Sequence, residues 1–289
     1  MWSRRALALG IACAAVAAAW SRTDRSPSEC ATSELRIAAA RDTTDELRLR
    51  LNVPAYRLDV TEHGRVSRSI PVAVGQPRYR TPLGHFRMDY VVWNPWWRPP
   101  DSYWARKERP QAPGWSNPVG RVKLHVTGLV FLHGTPLEDS RGTAASHACV
   151  RMSNADAIAL ARLVHRYAGP DVGGATLDSL VADTSRTRTI ALARAVPVDI
   201  EYRIAEVLGD TLAAYPDVYG RIGAQGRERE LLLALASAGI DTSGVARDSL
   251  RALVLASRRA VTRMPLAHLA APRDSLLTPP SAVSTDPRP

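Results

Sequence analysis

Cys149 is the residue whose surroundings in the chain best suit covalent chemistry. A thiol attacks as thiolate, so it needs a base to take its proton and a pair of N–H donors for the oxyanion that follows attack. Two histidines lie within reach along the chain. His147 is two residues away, and His133 sits at the end of a predicted strand that could run beside the cysteine. Ala144, Ala145 and Ala148 are small and leave room for a substrate backbone to approach the thiol. The loop then leads toward a helix start, and amide N–H groups with the helix dipole are expected to lower the thiol pKa there. Taken singly, Cys149 would read as a small buried hydrophobe and His133 as a structural residue. A metal site from His133, His147 and Cys149 lacks a convincing fourth ligand or a paired CxxC, so neither metal nor cofactor is expected.

Elements that could position these residues follow from periodicity. Tyr56, Leu58 and Val60 share one face, Glu62-His63-Gly64-Arg65 turns, and Ile70, Val72 and Val74 share a face again, a β-hairpin pattern. A second turn at Thr81-Pro82-Leu83-Gly84 precedes alternation through Phe86, Met88, Tyr90 and Val92. A Trp- and Pro-rich insertion runs from Trp93 to Trp115, with short strands predicted at 123–126 and 129–133. Ser153 or Asn154 can cap a helix whose Ala157, Leu160, Ala161 and Val164 recur at i, i+3, i+4 and i+7, and Gly169-Pro170 ends it. Val196, Val198, Ile200 and Tyr202 give a late strand, and 227–238 and 245–263 read as helices.

The 289 residues divide into a signal peptide at 1–19, a linker at 20–47, a mainly β body at 48–203, a helical extension of unassigned role at 204–272, and a Pro/Ser/Thr-rich disordered tail at 273–289. Arg4-Arg5, the apolar run Ala6 to Ala19 and the small Ala17-Ala18-Ala19 make the signal, which is too short for a membrane span and implies periplasmic or cell-wall location. Once it is cleaved, no stable membrane insertion is expected. Cys13 falls within it, leaving Cys30 and Cys149, too few for a disulfide framework. Net charge is +10, carried almost wholly by arginine, since Lys107 and Lys123 are the only lysines. Such a charge suits an anionic polymer. No basic cluster interleaved with aromatics marks a nucleic-acid face, so nucleic acid is not expected as a partner. His63, His85, His125, His165 and His268 receive no role; oligomeric state is not legible.

The segment around Cys149 closely resembles the L,D-transpeptidase catalytic domain (YkuD/ErfK type), whose signature is His-Gly-Thr, a spacer, then Ser-His-Gly-Cys-hydrophobic-Arg. Here it reads His133-Gly134-Thr135, ten residues, then Ser146-His147-Ala148-Cys149-Val150-Arg151. Thr81-Pro82-Leu83-Gly84, Asn94-Pro95-Trp96 with Pro99-Pro100, and Asn117-Pro118-Val119-Gly120 resemble upstream motifs of the family, in order, and Asn154 and Asp156 fit a downstream one. The resemblance implies a β-rich, sandwich-like domain with one helix after the cysteine, acting on peptide stems of peptidoglycan. It implies Cys149 as nucleophile and His133 as base, oriented by a main-chain carbonyl near Gly134. Backbone N–H groups of His147 to Cys149 would form the oxyanion hole, His147 and Ser146 would shape the loop, and Ser146, Ala148 and Arg151 would border the substrate. Arg151 would fix the loop or meet a substrate carboxylate. The acceptor can be a second stem, another amine or water, and a degenerate binding domain is the reading outside enzymes. One residue departs from the family: Ala148 stands where glycine is usual. If that position needs positive φ, alanine costs roughly 1 kcal/mol or somewhat more.

Overall fold

In a computed structural model of the chain, residues 47–170 and 172–269 are described. The expected signal peptide, linker, Cys30 and C-terminal tail lie outside the described residues.

The body is mainly β, as the resemblance implied. Its strands are β1 (Arg48–Asn52), β2 (Arg57–Glu62), β3 (Arg65–Pro71), β4 (Val74–Gly75), β5 (Gly84–Trp93), β6 (Val122–Thr127), β7 (Val130–Thr135), β8 (Ala144–Ser146), β9 (Val150–Ser153) and β10 (Arg188–Glu201). A large sheet runs in the order β3-β2-β1-β10-β5-β6-β7-β9, and β4 pairs with β8 beside it. The hairpin read from the sequence is β2–β3. The late strand is longer than its period predicted, because a bulge between Ala191 and Val196 interrupts the alternation opposite β5.

Helix α1 (Asn154–Ala168) follows β9 directly. Ser153 caps it, accepting from the Asp156 N–H at 3.0 Å, which satisfies one of the free N–H groups of the first turn. Its apolar stripe, Ala157, Leu160, Ala161 and Val164, is buried in one core with Leu124, Leu132, Val150 and Met152 of the sheet. Successive strand residues point to opposite faces, so the residues between these, Lys123, His133 and Arg151, turn to the other face. Burying each leucine of the core row contributes on the order of 2 kcal/mol, and that row fixes which residues face the site. A short helix α2 (Gly174–Ala182), not anticipated from the sequence, packs nearby. Buried Arg121 donates to the Leu180 and Val181 carbonyls at its end, neutralising carbonyls that the last turn leaves unpaired.

Helices α3 (Gly223–Ser237) and α4 (Arg247–Ala256) stand where the extension's helices were expected. The second is shorter than its pattern, because residues 262–265 form a strand. That strand, β13 (Thr262–Pro265), joins β11 (Ala205–Leu208) and β12 (Thr211–Ala214) in a small sheet that the sequence reading left out. Leu212, Leu231, Leu235, Leu250 and Leu253 form its separate core. Arg57 on β2 ties the extension to the body, reaching Glu206 at 2.8 Å and the Tyr215 hydroxyl at 3.1 Å.

Candidate active site

Three motif segments meet around Asn154. Its Oδ1 accepts from the Arg121 N–H at 2.8 Å. A Cβ on Gly120 or on Gly134 would lie 2.3 Å from that same oxygen, and Gly120 has φ +62°. No side chain fits at either glycine, so the Asn-Pro-x-Gly turn, the His-Gly-Thr strand end and the helix start interlock only as glycines. The insertion is organised by the other motif asparagines. Asn94 Nδ2 donates to the Leu180, Asp183 and Arg186 carbonyls, and Asn117 Nδ2 to those of Pro95, Gln111 and Ala112.

His133 is buried on β7, and its Nδ1 is paired with the Gly134 carbonyl oxygen at 2.7 Å. A carbonyl only accepts, so Nδ1 carries the proton and Nε2 is left as the basic nitrogen. The Gly134 carbonyl thereby fixes the orientation and tautomer of the His133 ring. Burial is the main cause that pushes the His133 pKa down to about 4, with the charges of Arg151 and Lys123 adding to it and the Gly134 carbonyl opposing. The imidazole is therefore neutral at pH 7 and able to take a proton.

His147 sits differently. Its ring stacks on Trp104, with centroids 3.8 Å apart and planes 11° apart, and leans on Tyr79 at 4.7 Å. Burial, then the Arg151 charge, lowers its pKa too. The imidazole is thus held between two aromatic rings.

The loop 146–149 is held by its carbonyls. The Ser146 carbonyl accepts from the Gln76 N–H at 2.9 Å, that of Ala148 from the Thr81 hydroxyl at 2.9 Å, and that of Cys149 from the Ser146 hydroxyl. The N–H groups of His147, Ala148 and Cys149 have no acceptor among the described residues, which is the arrangement an oxyanion hole needs. Ser146 is buried with its hydroxyl turned into the loop, so it supports the turn and offers no free group to a substrate. Ala148 has φ +81°. The position does require the left-handed region, and this chain fills it with a residue that disfavours it.

One expectation fails. Cys149 does not sit at a helix N-terminus, because β9 lies between it and α1, pairing in parallel with β7. Burial pushes the thiol pKa up, with a Phe131 backbone hydrogen bond and the charges of Arg151 and Lys123 only partly opposing. The Cys149 thiol donates to the Leu129 carbonyl at 3.4 Å. The resting pair is thus neutral thiol and neutral imidazole.

The structure adds residues that the sequence did not single out. Register places Lys123 opposite His133, and His133 opposite Arg151. Lys123 is one of two lysines in the chain, but only the register brings it to the site. Trp104 on His147 had no signal beyond the insertion's composition. Tyr219 belongs to the extension, yet its hydroxyl accepts from the Thr81 N–H at 3.0 Å and donates to the Gly75 carbonyl at 2.9 Å. Thr81 in turn accepts from the Gly75 N–H and holds the Ala148 carbonyl. Among the described residues no group of three or more His, Cys, Asp or Glu side chains is placed to hold a metal ion.

Comparison with known proteins bears on the family of the chain. YkuD of Bacillus subtilis (strain 168), whose name assigns it to the L,D-transpeptidases, is 30% identical over 115 residues, 39% of this chain and 58% of that protein. The matched segment thus spans less than two thirds of that relative. Among solved structures, an L,D-transpeptidase from Mycobacterium smegmatis is 20% identical, covering 54% of this chain and 58% of that one, with a TM-score of 0.33. L,D-transpeptidase 3 from Mycobacterium tuberculosis, in complex with a faropenem-derived adduct, is 12% identical, covering 54% and 60%, with a TM-score of 0.35. The family model for the YkuD L,D-transpeptidase catalytic domain matches residues 47–198, more than half of the 289, and the chain belongs to that family.

Proposed function

We propose that the protein is an exported cysteine L,D-transpeptidase acting on the tetrapeptide stems of peptidoglycan. The observation that carries this reading is the loop 146–149, in which the Ser146, Ala148 and Cys149 carbonyls are tied back while the N–H groups of His147, Ala148 and Cys149 have no acceptor among the described residues. His133 takes the thiol proton as sulfur attacks the carbonyl carbon at the L-centre of the third stem residue, diaminopimelate. The oxyanion is received by N–H groups of His147 to Cys149. Collapse of the intermediate breaks the C–N bond to the terminal D-alanine, whose amine takes the proton back from His133, and leaves a Cys149 thioester. An acceptor amine then gives its proton to His133, attacks the thioester carbon and releases the thiol. General acid–base help of this kind contributes about 10² to 10⁴ in rate.

A second stem peptide is the favoured acceptor. The Trp93–Trp115 insertion places Tyr103, Trp96 and Trp115 on the surface, and the net charge of +10 suits an anionic wall polymer. Holding an amine beside the thioester lets it outcompete far more concentrated water. The basic n-region and the apolar run to Ala19 support action in the periplasm or cell wall.

The test is incubation with disaccharide-tetrapeptide and mass analysis of the products. Crosslinked dimers lacking one D-alanine are expected, and none with Cys149→Ala. Tripeptide alone, even at high acceptor concentration, would make the enzyme a carboxypeptidase. Unchanged substrate with a folded, alkylatable protein would leave a binding domain.

A further inference from the structure

Lys123 and Arg151, the cations beside Cys149, have no carboxylate partner among the described residues. Lys123 on β6, His133 on β7 and Arg151 on β9 are consecutive partners across three strands and share one sheet face. Directly opposed residues have Cβ atoms about 5 Å apart, so the two cations flank the histidine. The Lys123 Nζ lies 4.3 Å from the centroid of the Phe131 ring. Neither Lys123 nor Arg151 makes an ion pair with any described residue, and Arg151 Nε is buried without a hydrogen-bond partner. The other enclosed arginines do have hydrogen-bond partners, although Arg121 Nη1 and Arg227 Nε are likewise buried without one. Arg57 is bound by Asp59 and Glu206, Arg121 by Asn94 and two carbonyls, and Arg227 by Tyr215 and Ser257.

Removing a charge from water is costly unless an opposite charge joins it. Burial lowers the pKa of both side chains, which is the mark of that cost. A thiolate at Cys149 offsets one positive charge during attack, and the second still lacks a counter-ion. Lysine recognises an anion as a point charge, and arginine offers a planar fork to a carboxylate.

We propose that Lys123 and Arg151 form a two-cation cradle that receives a carboxylate of the acyl donor beside Cys149, and that Lys123 thereby selects free-acid donors over amidated ones. The proposal rests on the transpeptidase reading for the identity of the donor. Two carboxylates on such a stem share this chemistry, that of the leaving D-alanine and that on the diaminopimelate side chain.

The first arm of the test needs no turnover. Full-length protein is alkylated with iodoacetate and, separately, with iodoacetamide, which differ in one carboxylate, and the Cys149-bearing peptide is followed by mass spectrometry. The ratio of the iodoacetate rate to the iodoacetamide rate should fall by roughly five- to tenfold in Lys123→Met, the scale of losing one nearby, partly screened cation. Lys123→Arg should keep the wild-type ratio, which separates charge from packing, and added salt should lower it in wild type. An unchanged ratio in Lys123→Met overturns the proposal, whatever the enzyme's reaction proves to be. The second arm compares donor stems amidated at D-alanine with stems amidated on diaminopimelate. The amidation that raises KM in wild type, and has little further effect in Lys123→Met, identifies the carboxylate. Equal use of the free acid and both amides by wild type overturns the proposal, and a donor that never reacts removes the transpeptidase reading while leaving the alkylation result to stand.

Discussion

Ala148→Gly should make this protein more stable, against the usual sense of a glycine substitution. At φ +81° the alanine occupies the left-handed region, which costs an L-residue about 1–2 kcal/mol. Glycine removes that strain but returns about 0.5–1 kcal/mol of freedom to the unfolded chain. The net gain is about 0.5–1 kcal/mol. Its sign is secure only if the native φ is imposed by the surroundings, and three anchors impose it. The Thr81 hydroxyl holds the Ala148 carbonyl at 2.9 Å, the Ser146 hydroxyl holds that of Cys149, and the Gln76 N–H holds that of Ser146 at 2.9 Å. None of these uses the alanine methyl, so all survive the substitution. For a domain of this size the gain corresponds to a Tm rise of about 1–4 °C. Thermal unfolding of wild type, Ala148→Gly and Ala148→Val at one pH measures it. Valine, branched at Cβ, should lose more than about 1 kcal/mol at a positive φ. A glycine variant that melts below wild type, or a valine variant that melts with it, would refute a strained loop.

Other consequences concern protons and the extension. His133 stays neutral in the fold down to about pH 4, whereas in the unfolded chain it protonates below about 6.5; stability should therefore fall as pH drops from about 6.5 to about 4, by roughly 3 kcal/mol from this residue. Urea unfolding at pH 7.5 and 4.5 should show a smaller loss in His133→Gln, whose side chain does not titrate, and an equal loss in both proteins would be incompatible with a buried neutral imidazole beside Lys123, Arg151 and Cys149. Tyr219→Phe removes a buried hydroxyl that serves the Thr81 N–H and the Gly75 carbonyl, so it should cost about 1–3 kcal/mol and slow iodoacetamide alkylation of Cys149. A stable variant with an unaltered alkylation rate would detach the extension from the catalytic loop.

What the sequence made legible was local. The β2–β3 hairpin, the helix α1 with its Ser153 cap, and the His133 and Cys149 segments follow from periodicity, capping chemistry and linear motifs, each contained within a few residues. What escaped depends on register or on distant chain. The strand β9 is four residues long, too short to show a period, and its pairing with β7 is a long-range choice. Missing it carried the chemistry in the wrong direction, because a cysteine at a helix N-terminus would have had a lowered pKa. Lys123 reaches the site only because β6 and β7 pair with Lys123 opposite His133; a one-residue slip would turn it into the core. Tyr219 is 138 residues from the Thr81 that it supports, a separation no motif spans.

The neutral thiol and imidazole also follow from placement, not from residue type. Cys149 and His133 are both displaced toward their uncharged forms, and burial is the largest cause for each. An ion pair at rest would need the thiol pKa to fall below that of the imidazole, and burial moves the two the opposite way. Two nearby cations favour thiolate, yet the same cations disfavour imidazolium, so for the thiolate–imidazolium pair their effects oppose one another. In the proposed mechanism, proton transfer is driven by what forms during attack: an oxyanion received by the N–H groups of His147 to Cys149, and negative charge on sulfur favoured by the nearby Lys123 and Arg151.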